Sequence, residues 1–161
     1  MSQITTLAEA LKVALATYTG KTFTRAYRVK NAQEDVQDGR WYVLLGGEEI
    51  VKRGSTDQYT IELALVYQRG LPKHSTTQKP VANITFLDGC MNEVESVVNL
   101  FRNPDDITDP DAHTGKFTTC GTYGQIEGFN FASLSINPMF DPIILNDNHV
   151  FSSIIRLTYR G

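Results

Sequence analysis

Tyr59-Thr60-Ile61-Glu62-Leu63-Ala64-Leu65-Val66-Tyr67-Gln68 alternates apolar with small or polar side chains along its length, and only Val66 breaks the polar side. A period of two puts Tyr59, Ile61, Leu63, Leu65 and Tyr67 on one face of a β-strand and Thr60, Glu62, Ala64 and Gln68 on the other. Just upstream, Trp41-Tyr42-Val43-Leu44-Leu45 is apolar on both alternating faces, which predicts an interior strand covered on both sides and ending at Gly46-Gly47. Residues 46–58 between the two strands are too many for a two-residue turn, so the spacing predicts a projecting flap. This flap carries Glu48, Glu49, Lys52 and Arg53.

Upstream of this pair, Thr6-Leu7-Ala8-Glu9 has the form of a capping box, predicting a helix that starts there. Leu7, Leu11, Ala14, Leu15 and Tyr18 give it one apolar stripe, and Gly20 supplies a stop. Residues 21–29 switch to period two, with Phe23, Tyr27 and Val29 on one side; Arg25 spoils that face and points to an edge or rim position. Residues 31–40 hold little to bury and read as an exposed loop.

Downstream, residues 70–80 read as a surface connection rich in Pro, Ser, Thr and Lys. Ile84, Leu87, Met91, Val94, Val97, Val98 and Phe101 then recur at spacings of three and four, which predicts a second helix capped by Asn83 or Thr85 and stopped by Asn103-Pro104. Gly89 weakens this helix slightly while permitting close packing. Residues 103–115 form an acidic loop. Residues 117–136 hold two β-prone stretches with bulges expected around Gly121, Gly124 and Gly128. Residues 137–142 break the chain, 146–148 turn it, and 150–159 resume alternation through Phe151, Ile155, Leu157 and Tyr159. Helix, three strands, helix, then two or three strands is not the alternation that builds a doubly wound parallel sheet. The fold expected is α+β, a mainly antiparallel sheet with two helices packed on one face, in a single domain over residues 1–161.

The composition is that of an ordinary globular protein: 41% hydrophobic, 20% charged, net charge −3 over 161 residues. A mildly acidic balance argues against a broad footprint for duplex DNA. Cys90 and Cys120 suggest no disulfide framework and read as reduced core thiols in a cytosolic setting. The opening residues lack the basic start and unbroken apolar stretch of an export signal, and no run approaches the roughly 20 apolar residues of a membrane-spanning helix. A soluble, non-exported chain is expected.

No catalytic, cofactor-binding or metal residues are assigned. Gly46-Gly47-Glu48-Glu49 lacks the glycine spacing and the Lys-Ser or Lys-Thr of a phosphate loop, and its paired acids would repel the ligand. Asp105, Asp106, Asp109, Asp111 and His113 miss the EF-hand spacing and its terminal Glu. His74, His113 and His149 are scattered, and a buried thiol makes a poor partner for a Cys-His pair. Phe23, Tyr27, Trp41, Tyr59 and Tyr67 could stack nucleic-acid bases if exposed, but their alternation with polar residues already places them in the core.

The run Arg40-Trp41-Tyr42-Val43-Leu44-Leu45-Gly46-Gly47-Glu48-Glu49-Ile50, followed by Asp57-Gln58-Tyr59-Thr60-Ile61-Glu62-Leu63-Ala64-Leu65, resembles a pattern in small neck and tail-completion proteins of tailed phages. The resemblance covers about the first 105 residues and points to the tail terminator family. It implies a structural virion protein with no enzymatic activity, assembled in the host cytoplasm into a homo-oligomeric ring, usually a hexamer. Such a ring ends the tail tube and joins it to the head connector, so the implied partners are the tail tube protein and the head–tail connector protein, without a membrane, while genomic DNA passes unbound. Glu48, Glu49, Lys52 and Arg53 are then interface candidates, or equally a solvated loop. Asp105, Asp106, Asp109 and Asp111 would line the lumen, where negative charge lets DNA slide. The competing expectation is a small non-enzymatic binding module for a peptide or single-stranded nucleic acid.

Overall fold

In the computed structural model, residues 2–29, 36–72, 83–101, 125–126 and 128–161 are described, residues 125 and 126 by their backbone alone. The expected acidic loop, with Asp105, Asp106, Asp109, Asp111 and His113, lies outside them, as do His74 and Cys120. The described elements are α1 (Gln3–Thr19), β1 (Phe23–Ala26), β2 (Arg40–Arg53), β3 (Thr56–Gly70), α2 (Ile84–Val98), β4 (Gln125–Ile126), β5 (Phe129–Ser135), α3 (Pro142–Asn148) and β6 (Val150–Arg160). The strands form one sheet in the order β1-β2-β3-β6-β5-β4, parallel only between β1 and β2. The fold is α+β with a mostly antiparallel sheet.

α1 begins earlier than its capping box suggested. Ser2 is the N-cap, its hydroxyl accepting the Thr5 N–H at 3.3 Å, while the Thr6 hydroxyl donates back to the Ser2 carbonyl. Glu9 therefore does not close a box; its carboxylate pairs with Lys12 at 2.8 Å and with Arg25 at 3.6 Å. Leu7, Ala8, Leu11 and Leu15 are buried, and Gly20 closes the helix in the left-handed region. α2 starts at Asn83, whose side chain accepts the Phe86 N–H at 2.8 Å, and a 3-10 turn over Asn99–Phe101 tightens its end. Its buried positions are Cys90, Val94, Val97 and Val98. Ile84, expected in the stripe, is 78% exposed, and Gly89 faces open space with no neighbour that a Cβ would meet.

α3 replaces the expected break and turn. Asp141 accepts the N–H groups of Ile143 and Ile144, and Pro142 occupies the first turn, where its missing N–H costs nothing. His149 ends it at a φ of 57°.

The core lies between the inner face of the sheet and the two long helices. In-register neighbours Phe23, Trp41 and Tyr67 set their rings side by side, with centroids 5.4 and 5.0 Å apart, and Phe151 continues the row at 6.3 Å from Tyr67. A second row joins Phe101, Phe131 and Tyr159 at 5.1 and 5.9 Å. Tyr42, Val66, Gln68 and Ser152 bury the opposite face at one end, as expected for strand residues covered on both sides. Tyr27 is 78% exposed and belongs to neither face of the core, because β1 ends at Ala26. The expected exposed loop also turns inward at its end: Val36 is fully buried, and its carbonyl accepts the N–H groups of both Gly39 and Gly70.

Candidate functional site

The expected flap is a correction of architecture. Strand β2 does not stop at Gly46-Gly47 but runs on to Arg53, and β3 starts at Thr56, so Gly54-Ser55 makes a two-residue turn after all. Gly54 has a φ of +67°, the conformation a hairpin turn needs at that corner. What reads as a turn is a β-bulge: pairing passes from Leu45–Leu63 directly to Gly47–Glu62, leaving Gly46 as the extra residue. Here a side chain has no room, since a Cβ on Gly46 would lie 2.6 Å from the Glu62 carbonyl oxygen.

The bulge shifts the alternation of β2 by one. Trp41, Val43 and Leu45 share the inner face with Leu63, Leu65 and Tyr67; beyond the bulge that face carries Glu48, Ile50 and Lys52, opposite Ile61, Tyr59 and Asp57. Glu49, Val51 and Arg53 lie on the outer face. The four charged residues singled out in sequence are thus brought onto one arm but split between its surfaces. All four are exposed, and none forms an ion pair within the described residues. Between them, Ile50 is 54% and Val51 41% exposed. Isolated exposed aliphatics are ordinary, but adjacent ones at the tip of a hairpin lack the burial that normally holds strands in place.

The arm also has a free edge. β1 covers β2 only from Trp41 to Leu44, so from Leu45 to Arg53 this side of β2 has no strand partner among the described residues. At the other end of the sheet β4 pairs only with Phe129 and Asn130, leaving the far side of β5 open from Phe131 to Ser135 among those residues. Unpaired edges attract further strands, and charged side chains are one natural way of discouraging that.

A second feature lies at the opposite end of β2. A polar cleft of about 360 Å³ is lined by Lys21, Asp38, Arg40, Trp41, Arg69 and Glu93, among others. Glu93 on α2 accepts from the Trp41 indole N–H at 3.1 Å and from the Lys21 ammonium at 2.9 Å. Burial raises the pKa of this carboxyl, but the Lys21 and Trp41 hydrogen bonds and the charges of Lys21 and Arg69 outweigh it and hold Glu93 below its usual 4.5. Nearby, burial pushes the Tyr67 hydroxyl up to about 12 and the Cys90 thiol up to about 11. At neutral pH Cys90 is therefore a protonated core thiol, a poor nucleophile. Sequence reading missed Glu93; Trp41 and Glu93 are 52 residues apart and only the packing of α2 on β2 brings them together. The one available signal was a carboxylate on the polar flank of an apolar helix beside a buried indole.

Among the described residues no group of His, Cys, Asp and Glu is arranged to hold a metal ion, and no helix is long and apolar enough to cross a membrane. Comparison with protein-family models finds no match, and comparison with curated proteins finds none either.

Proposed function

We propose that this chain is a structural virion protein: a subunit of a homo-oligomeric ring, on the pattern of a hexamer, that ends a phage tail tube on its head-proximal side and joins it to the head connector. The observation that carries the reading is the β2–β3 arm, whose aliphatic and charged residues are exposed and whose charges form no ion pair among the described residues. A ring needs a heterologous contact, one surface of a subunit meeting a different surface of the next. The sheet offers two candidates, the open side of β2 and the open side of β5. Three antiparallel steps separate them, so the two edges run in opposite directions. A copy placed head to tail would therefore set its β5 antiparallel to β2 of its neighbour, the more favourable pairing.

Native mass spectrometry and negative-stain imaging of the purified chain, alone and with tail tubes, test the proposal. Rings that cap tube ends are expected. A protein that stays monomeric beside tubes and never forms rings would overturn it.

The second reading, a small non-enzymatic binding module, is favoured by the same open edge of β2, to which an extended peptide could add as a strand. Single-stranded nucleic acid is the weaker ligand on this surface, because Phe23, Trp41 and Tyr67 are buried against one another and present no stacking platform.

A further inference from the structure

The edge of β2 that has no strand partner among the described residues reads Glu48-Glu49-Ile50-Val51-Lys52-Arg53, with two acids before two aliphatics and two bases after them. Such an order is its own complement when the strand is reversed. We propose that this edge pairs with the same edge of a second copy, antiparallel about a two-fold axis at Ile50, forming a symmetric dimer.

The geometry restricts the register. When two copies of one edge join antiparallel, the axis runs perpendicular to the sheet, so each residue lies opposite one from the same face. Only pairings centred on a single residue satisfy this. Centred on Ile50, the inner face sets Glu48 opposite Lys52 of the second copy, twice by symmetry, and Ile50 opposite Ile50. The outer face sets Glu49 diagonal to Arg53, within reach of long side chains. Centred on Val51, the outer face sets Glu49 opposite Arg53.

The residues behind the edge favour Ile50. Across the hairpin Ile50 is paired with Tyr59, whereas Val51 is paired with Gln58. The Ile50 register therefore lines up Tyr59, Ile50, Ile50 and Tyr59 across the joined sheets, an apolar row that covers an isoleucine left 54% exposed in the single subunit. The Val51 register would end its row in glutamines. Lys52 is also paired with Asp57, so in the dimer it lies between its own Asp57 and the second copy's Glu48. Charges that merely protect an edge work by repelling copies of themselves; these cancel when a like edge pairs antiparallel in the Ile50 register.

The pairing does not depend on the tail-ring reading. An edge closed on itself is unavailable to a ring neighbour, so the dimer is the form of the free subunit that ring contacts would displace.

Charge reversal tests it. Sedimentation equilibrium of the full chain should show a monomer–dimer equilibrium. E48K and K52E should each weaken association by roughly tenfold or more, since two symmetric opposite-charge pairs become like-charge pairs. K52E also faces Asp57 within its own hairpin, whereas E48K faces only Ile61 and isolates the intermolecular effect. The double variant E48K/K52E restores complementarity and should recover the dimer, and mixing the two single variants should produce heterodimers. A wild-type chain that stays monomeric at every accessible concentration, or a double variant that stays as dissociated as the singles, would overturn the pairing. Recovery by E49R/R53E in place of E48K/K52E would overturn its register. Ring formation on tail tubes is scored separately, so either proposal can fail while the other stands.

Discussion

The inner and outer halves of the β2–β3 ladder are built by the same two strands on either side of the Gly46 bulge, yet they are held in place by different forces. Below the bulge, Trp41, Val43, Leu63, Leu65 and Tyr67 are buried under two helices. Above it, residues 48–57 are exposed on both faces, and the backbone hydrogen bonds and the turn must hold the hairpin alone. An isolated two-stranded hairpin is marginal in water. The arm persists because it is an extension of strands already fixed elsewhere, which frees its side chains from any duty to the core.

The largest contrast between the halves should appear on truncation. Leu65→Ala, at a fully buried site, is expected to cost about 2–5 kcal/mol of folding stability. Ile50→Ala, measured in dilute monomer, should stay within about 0.5 kcal/mol of wild type. Chemical denaturation followed by tryptophan fluorescence gives both values, and a large effect at Ile50 would mean that the arm packs on its own subunit.

The boundary itself comes next. Gly46→Ala puts a methyl group against the Glu62 carbonyl, a backbone atom that cannot swing aside, and should cost about 1–3 kcal/mol. Gly47→Ala meets nothing within 4 Å and serves as the neighbouring control. Similar losses at both positions would show that strand flexibility, rather than the close approach, makes glycine necessary.

A smaller effect should follow pH. Glu93 is held below its ordinary value in the folded protein, so the unfolded chain binds its proton more readily. The stability this supplies is complete above about 4.5 and is lost as pH falls through the lower folded value. Glu93→Gln should flatten that part of the stability–pH curve while leaving the arm unaffected. Unfolding midpoints across the acid range, wild type against variant, provide the measurement; parallel curves would remove Glu93 from the acid response.

How much of this was legible depended on whether burial left a periodic mark. β3, α1, α2 and β6 each press one face on the core, and their apolar positions recur at the matching period. Residues 48–57 of the arm are exposed on both faces and so carry no alternation to read, and Gly46-Gly47, which reads as the end of a strand, is a bulge within one. The four charged candidates stand together in the sequence, but their division between two faces follows from the extra residue, which only the pairing reveals. The start of α3 is written in Asp141-Pro142, a cap followed by a first-turn proline, but Pro138 and Pro142 together read as a break. Glu93 left no local trace, because its partners come from other elements.

The two edges left open among the described residues, on β2 and β5, run antiparallel to one another and bear on assembly as a whole. A head-to-tail contact between them would contain no instruction to stop: every added copy would present the same vacant edge as the one before. The strands would be equally satisfied in a closed circle and in an endless ribbon. The number of copies would then be fixed by angle and not by chemistry, through the twist and curvature that each sheet carries into the next.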